Sequence, residues 1–283
     1  EHMRQYFTFG PEERMSLVAL AHSAAIHNVA EKYLKQALAQ IKLDEPQRTY
    51  SQSELDALEH KDSLALLQPI ICKLVKRLWH HELRSGETIL VFLPTWATLE
   101  AQYRLLLDKL PPGASLHVLH SAVDMEVCMA TLAAEDGSSR KRVVLSSPIA
   151  ESSVTISNVV HVVDSCRACE VYYSKAAGNM LSTIVYTSKS QAKQRRGRTG
   201  RTCDGSVWRL VSRDVYNDFD DFERPALTLQ SQRKEGLLLT CSHDRKTQEA
   251  AAFLAGCLDP PQAFVVDEAL EKLCQMKMLE QRV

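Results

Sequence analysis

At 283 residues, with 45% hydrophobic and 24% charged side chains, the chain is long enough for one large or two small domains with a real core. Its formal charge of −1 excludes a polycation that coats nucleic acid through bulk electrostatics, and no run approaches the ~20 apolar residues of a membrane span. Eight cysteines without a secreted framework point to reduced thiols in the cytoplasm or nucleus, with no membrane partner.

The opening Glu1-His2-Met3 reads as the start of an excised fragment, with no signal-peptide pattern. Glu12 to Asn28 and Glu31 to Ile41 show helical apolar spacing, and a polar, turn-rich stretch runs through Pro46 to Ser53. Ser63 to Arg84 carries Leu64, Leu67, Ile70, Ile71, Leu74 and Leu78 along one stripe, the mark of a packed amphipathic helix whose solvated end holds His80 and His81. From Thr88 the period changes. Ile89 to Leu93 is a short apolar run suited to a strand buried on both faces. A helix over Ala97–Leu110, a strand over Leu116–Leu119 and a helix over Met125–Ala134 follow. Val143–Leu145, Val159–Val163 and Ser206–Val211 are further strands. Such alternation predicts an α/β layer with a parallel sheet, whose ligands gather at the loops beyond the carboxyl ends of its strands. Those loops are polar: Pro94-Thr95-Trp96, Ser146-Ser147-Pro148 and Asp164-Ser165. Glu170–Tyr173 and Leu181–Tyr186, joined by Ala176-Ala177-Gly178-Asn179, predict a β-hairpin.

Positive charge concentrates at Lys189, Lys193, Arg195, Arg196, Arg198 and Arg201, with Asp214, Asp218, Asp220, Asp221 and Glu223 soon after. Gln194 to Arg201 reads QRRGRTGR. If this run is helical, Gln194, Arg198 and Arg201 share a face, with Gly197 and Gly200 letting another surface approach. One amide and two guanidiniums suit phosphoryl transfer, in which charge is neutralised and a water oriented; a solvated basic helix is the plainer alternative. No GxxxxGK[ST] loop and no acidic D-E-x-H motif occurs, so hydrolysis would need a second domain. Cys166-x-x-Cys169 lacks a second ligand pair, with only Cys203 and His243 in reserve, so free thiols are expected and no metal site.

Taken in order, Ile89–Pro94, Leu119-His120-Ser121, Ile149–Ile156, Val162–Ser165 and QRRGRTGR resemble motifs IV, V and VI of the second RecA-like domain in DEAH/RHA-type (DExH) RNA helicases. Glu223-Arg224-Pro225, Leu258–Pro261 and Val266–Leu273 resemble the start of that family's winged helix. Thr95, Asp164–Arg167 and Thr202–Gly205 look most like the plant DExH branch that also carries CCCH zinc fingers. The resemblance implies a RecA-like parallel sheet flanked by helices over 63–222, a β-hairpin insertion, a helical N-terminal segment over 1–62 and a partial winged helix over 223–283.

It also implies roles. Gln194 would place the lytic water, and Arg198 and Arg201 would meet the terminal phosphates of ATP. Thr155, Ser157, Gly197 and Leu132 would border the nucleotide, with Mg²⁺ held mainly by a first RecA-like domain outside this chain. Thr95, Trp96, Ser121, Ser147 and Pro148 fall in loops that touch single-stranded RNA through its backbone. The hairpin around Gly178 resembles the strand-separating wedge. RNA, the partner RecA-like domain and a helicase-activating protein are the implied partners, and the fragment alone would be inactive. The chain also departs from the family. Pro148 stands for asparagine, Thr95 for glycine, Ser157-Asn158 for Asp-Gly, Leu132 for an adenine-stacking phenylalanine and Cys166 for glycine. These departures leave a second reading open, a non-catalytic helicase-derived scaffold that binds RNA or protein.

Overall fold

The computed structural model describes residues 27–134, 139–151, 156–242 and 247–279. The helix expected over Glu12–Asn28 lies almost wholly outside them. The described residues divide into two compact units, one within 27–169 and 184–223, the other within 170–183 and 224–279.

In the first unit a six-stranded sheet has the order β1-β8-β5-β2-β4-β3, with every neighbouring pair parallel. Its strands are β1 (Val29–Lys32), β2 (Thr88–Phe92), β3 (Ser115–Leu119), β4 (Arg142–Ser146), β5 (Val159–Asp164) and β8 (Gly205–Arg209). β2 lies between β4 and β5, with Val91 opposite both Leu145 and Val163. Successive side chains leave opposite faces of a strand, which explains the continuous apolar runs. Ile89, Val91, Val143 and Leu145 join one core with Leu34, Leu67, Leu74 and Leu78, whereas Leu90, Phe92 and Val144 join another with Ala150, Ile156 and Met129.

The covering helices are α1 (Leu34–Lys42), α2 (Gln52–Glu59), α3 (Leu64–His81), α4 (Trp96–Leu107), α5 (Met125–Ala134), α6 (Lys189–Arg196) and the short α7 (Arg213–Asn217). Two differences from the sequence reading stand out. Val29–Lys32 is an edge strand paired with β8, so Glu31 belongs to a strand and the helix starts at Leu34. Within the stretch read as turns, Ser51 opens α2: its hydroxyl accepts from the Glu54 backbone, and the Glu54 carboxylate accepts from the Ser51 backbone at 2.8 Å. α2 ends against a buried guanidinium. Arg167 donates to the carbonyls of Leu58, Glu59 and His60 at 3.1, 2.8 and 2.8 Å, satisfying groups that a helix terminus leaves unpaired.

β6 (Arg167–Ser174) and β7 (Asn179–Tyr186) form the two-stranded hairpin, longer than its apolar runs indicate. Gly178 turns it with φ of 66°. The second unit contains α8 (Ala226–Leu229), α9 (Arg233–Ser242), α10 (Thr247–Ala255) and α11 (Ala263–Gln275). Leu254, Val266, Leu270, Leu273 and Leu279 make its core. There the Tyr173 hydroxyl donates to Glu268 at 2.9 Å and accepts from Lys272 at 3.2 Å, tying residues of the hairpin to α11.

Candidate functional site

The basic segment is not one helix. α6 ends at Arg196, Gly197 is its C-cap, and residues 197–204 form a loop that leads into β8. Gln194, Arg198 and Arg201 therefore do not share a helical face. Two glycines explain the break. Gly200 adopts φ of 75°, open to glycine and costly for other residues. A Cβ on Gly205 would lie 2.0 Å from the Thr199 hydroxyl and 2.8 Å from the Val160 carbonyl, so the loop closes on β8 through a backbone that only glycine allows.

What fixes the segment is Arg195, which is fully buried. Its Nε donates to Glu151 at 2.7 Å and its Nη1 to Asp164 at 2.6 Å, and its guanidinium lies 5.1 Å from the centre of the Phe92 ring. Burial alone would lower this guanidinium, but Asp164 and Glu151 raise it above the usual arginine range. Burial lifts the Glu151 carboxyl above the usual carboxylate range against the pull of Arg195. α6 is thus bolted to the 3₁₀ turn after β4 and to the end of β5 by a buried ion cluster. At its other end two residues of the acidic run meet it: Ser188 donates to Glu223 at 3.0 Å and Lys189 pairs with Asp221 at 3.2 Å.

Gln194 and Arg201 are exposed and Arg198 is half-buried. Arg198 donates to the Glu151 carbonyl, and Arg201 donates through Nε to the Gly197 carbonyl at 2.9 Å. Burial and then the charge of Arg201 lower the Arg198 guanidinium below its usual range, so the two cations repel one another. An anion laid against them would relieve that repulsion.

A second group gathers at the carboxyl ends of β2, β3 and β4, where backbone bonds lace the loops together. Leu93 donates to the Ser146 carbonyl at 2.9 Å and Ser147 to that of Leu119 at 3.0 Å. Thr95 is the N-cap of α4, its hydroxyl accepting from the Thr98 backbone at 3.3 Å. Trp96 is half-exposed and meets the His120 ring edge-on, centroids 5.4 Å apart. Ser121 is exposed beside it, Ser147 is buried, and Pro148 opens a 3₁₀ turn over Pro148–Glu151. Thr95, Trp96, Ser121, Ser147 and Pro148 are therefore brought to one sheet edge, and His120 joins them, a residue that sequence reasoning assigned no role.

The residues expected to border a nucleotide are spread differently. The Ser157 carbonyl accepts from Thr88 and Arg142, the first residues of β2 and β4, so Ser157 stands at the opposite sheet edge from Ser147. Thr155 and the Leu132 side chain lie outside the described residues. Cys166 is buried with φ of 57°, a left-handed backbone, and burial followed by Asp164 raises its thiol far above the usual range. Among the described residues no three His, Cys, Asp or Glu side chains are grouped to hold a metal ion.

A twisted parallel sheet covered by helices, with polar loops at its carboxyl edge and arginines beyond a bolted helix, defines a RecA-like α/β domain. Residues 69–203 match the helicase conserved C-terminal domain family. Over 98% of its length the chain is 36% identical to zinc finger CCCH domain-containing protein 4 of Oryza sativa subsp. japonica. It is 35% identical over 98% of its length to DExH-box ATP-dependent RNA helicase DExH8 of Arabidopsis thaliana. It spans 28% and 27% of those two relatives. Two solved structures of HrpB from Escherichia coli cover 91% of this chain, with TM-scores of 0.63 and 0.67 at 20% and 18% identity, and share its fold. The chain covers 28% and 29% of those structures. The chain thus carries a helicase conserved C-terminal domain over residues 69–203 and is similar to DExH-box helicases over nearly its whole length.

Proposed function

We propose that the chain is the C-terminal half of an ATP-dependent RNA helicase motor, working in the cytoplasm or nucleus and closing on a first RecA-like domain. The observation that carries this reading is the placement of Arg198 and Arg201 just beyond the end of a helix that Arg195 bolts in place. Their donor set fits a polyphosphate. When bound, ATP supplies the phosphoryl group and Mg²⁺ neutralises part of its charge. Arg198 and Arg201 then stabilise charge on the terminal phosphates, and the Gln194 amide orients the attacking water. The rigid Arg195 bolt keeps the pair aligned while the two domains open and close. Thr95, Ser121 and Ser147 hold the backbone of single-stranded RNA at the carboxyl edge, without reading its sequence.

The test is RNA-stimulated hydrolysis by the full-length protein. Arg198→Ala is expected to lower turnover by roughly 10³-fold or more, the scale of an arginine finger, with the fold unchanged by circular dichroism. The 283-residue chain alone is expected to show no turnover. Near-normal hydrolysis by the Arg198 variant would overturn the assigned role. A full-length protein that binds RNA and hydrolyses no nucleotide would instead favour the scaffold reading.

A further inference from the structure

Of the three tryptophans, Trp79 and Trp208 are 7% and 1% exposed, whereas Trp96 is 43% exposed. Trp96 is the first residue of α4, and its indole meets the imidazole of His120 at an interplanar angle of 61°. An edge-to-face contact covers one face of one ring and leaves the other faces of the pair to their surroundings. The imidazole is held in turn, since its Nδ1 accepts from the Ala122 backbone at 3.0 Å.

The setting of this pair is unlike an apolar docking patch. Among the described residues no other exposed large hydrophobic side chain lies in the loops 93–95, 120–124 or 147–151. The polar residues of these loops are the hydroxyl-bearing Thr95, Ser121 and Ser147, with His120, the exposed Asp124 and the buried Glu151. A lone flat aromatic surface among hydrogen-bonding groups suits one flat, polar-edged ligand better than a protein face.

We infer that Trp96, braced by His120, is a stacking platform for one unpaired RNA base. This rests on the RNA-track reading above and adds to it a contact with a base. Every base has a π-face, so such a platform tightens binding and stays tolerant of sequence. It also gives the RNA a registration point: one base seated on Trp96 fixes which phosphate reaches Ser147 and which reaches Thr95.

The arrangement provides its own probe, because Trp96 is the one solvent-exposed indole in the chain. The 283-residue chain is titrated with an oligouridine and with an abasic ribose-phosphate oligomer of equal length, following indole fluorescence and affinity. Oligouridine is expected to quench the exposed indole, and the abasic oligomer to bind more weakly without quenching it. Trp96→Ala should weaken oligouridine binding about tenfold and abasic binding far less, while Trp96→Phe, still able to stack, should recover most of the loss. Ser147→Ala, a backbone contact, should weaken both oligomers. If oligouridine binds without quenching, and Trp96→Ala binds it as the parent does, the platform is overturned and the backbone track stands. If neither oligomer binds, the RNA-track reading falls, and the platform with it.

Discussion

A guanidinium removed from water must be met by charge and hydrogen bonds, and Arg195 meets both in Glu151 and Asp164. The Asp164 carboxylate is used twice, since its Oδ1 also accepts from the Cys166 backbone at 2.8 Å. That bond helps hold Cys166 in the left-handed conformation, a backbone that favours glycine. Removing the cation would leave two buried carboxylates close together with nothing to balance them. Arg195→Met should therefore destabilise the chain by about 3–5 kcal/mol at neutral pH, measured by urea unfolding. Part of the loss should return on acidification, as the stranded carboxylates take up protons. A variant within about 1 kcal/mol of the parent at pH 7 would show that the cluster is no bolt.

At the scale of elements, α2 depends on its first residue. The Ser51 hydroxyl satisfies one orphan amide and the Glu54 carboxylate another, while Arg167 seals the far end. Ser51→Ala should cost about 1 kcal/mol, read as a drop in Tm, and an unchanged Tm would mean that packing alone holds the helix. The motif Ser-x-x-Glu was visible in the sequence, yet the polar run before it masked the helix start. The strands β2, β4 and β5 were legible because a sheet buried on both faces demands continuous apolar runs, and TILVF and VVHVV supply them. β1 was not legible. Val29–Lys32 is four residues long with Ala30 and Glu31 exposed, and its strand character comes wholly from pairing with β8. The end of α6 was left open by the sequence for a related reason. Gly197 has an ordinary φ of −67°, so nothing local forbids a helix running on; the break comes from Gly200 and from the contact of Thr199 with Gly205, which is tertiary. The site residues were legible as chemistry, through the arginines and polar loops, but not as geometry. The bolt joins residues up to 44 positions apart, and the nearness of His120 to Trp96 follows only from the order of strands.

At the scale of the whole molecule, a sheet without a wet face must bury whatever polar residue falls in its strands. His161 in β5 is such a residue. Its Nδ1 is 2.8 Å from the Ser206 hydroxyl of β8, its Nε2 is 4.0 Å from Glu82, and it is 8% exposed. Burial, and secondarily the charge of Lys32, push its pKa down to about 4. The unfolded chain would titrate this imidazole near pH 6.5, so below that value the unfolded state binds the proton that the folded state refuses. The stabilisation is complete above pH 6.5, falls as pH drops, and is gone below about 4. The Glu151 carboxyl, raised by burial, acts in the opposite sense, because the folded state takes up its proton first. The His161 contribution is isolated by comparing the parent with His161→Gln, whose amide can still bond Ser206. Between pH 6.5 and 5 the parent should lose about 1.5 kcal/mol more than the variant in urea unfolding, the slope rising toward ~1.4 kcal/mol per pH unit as the unfolded imidazole becomes protonated. Parallel pH profiles for the two proteins would place the acid sensitivity elsewhere in the molecule.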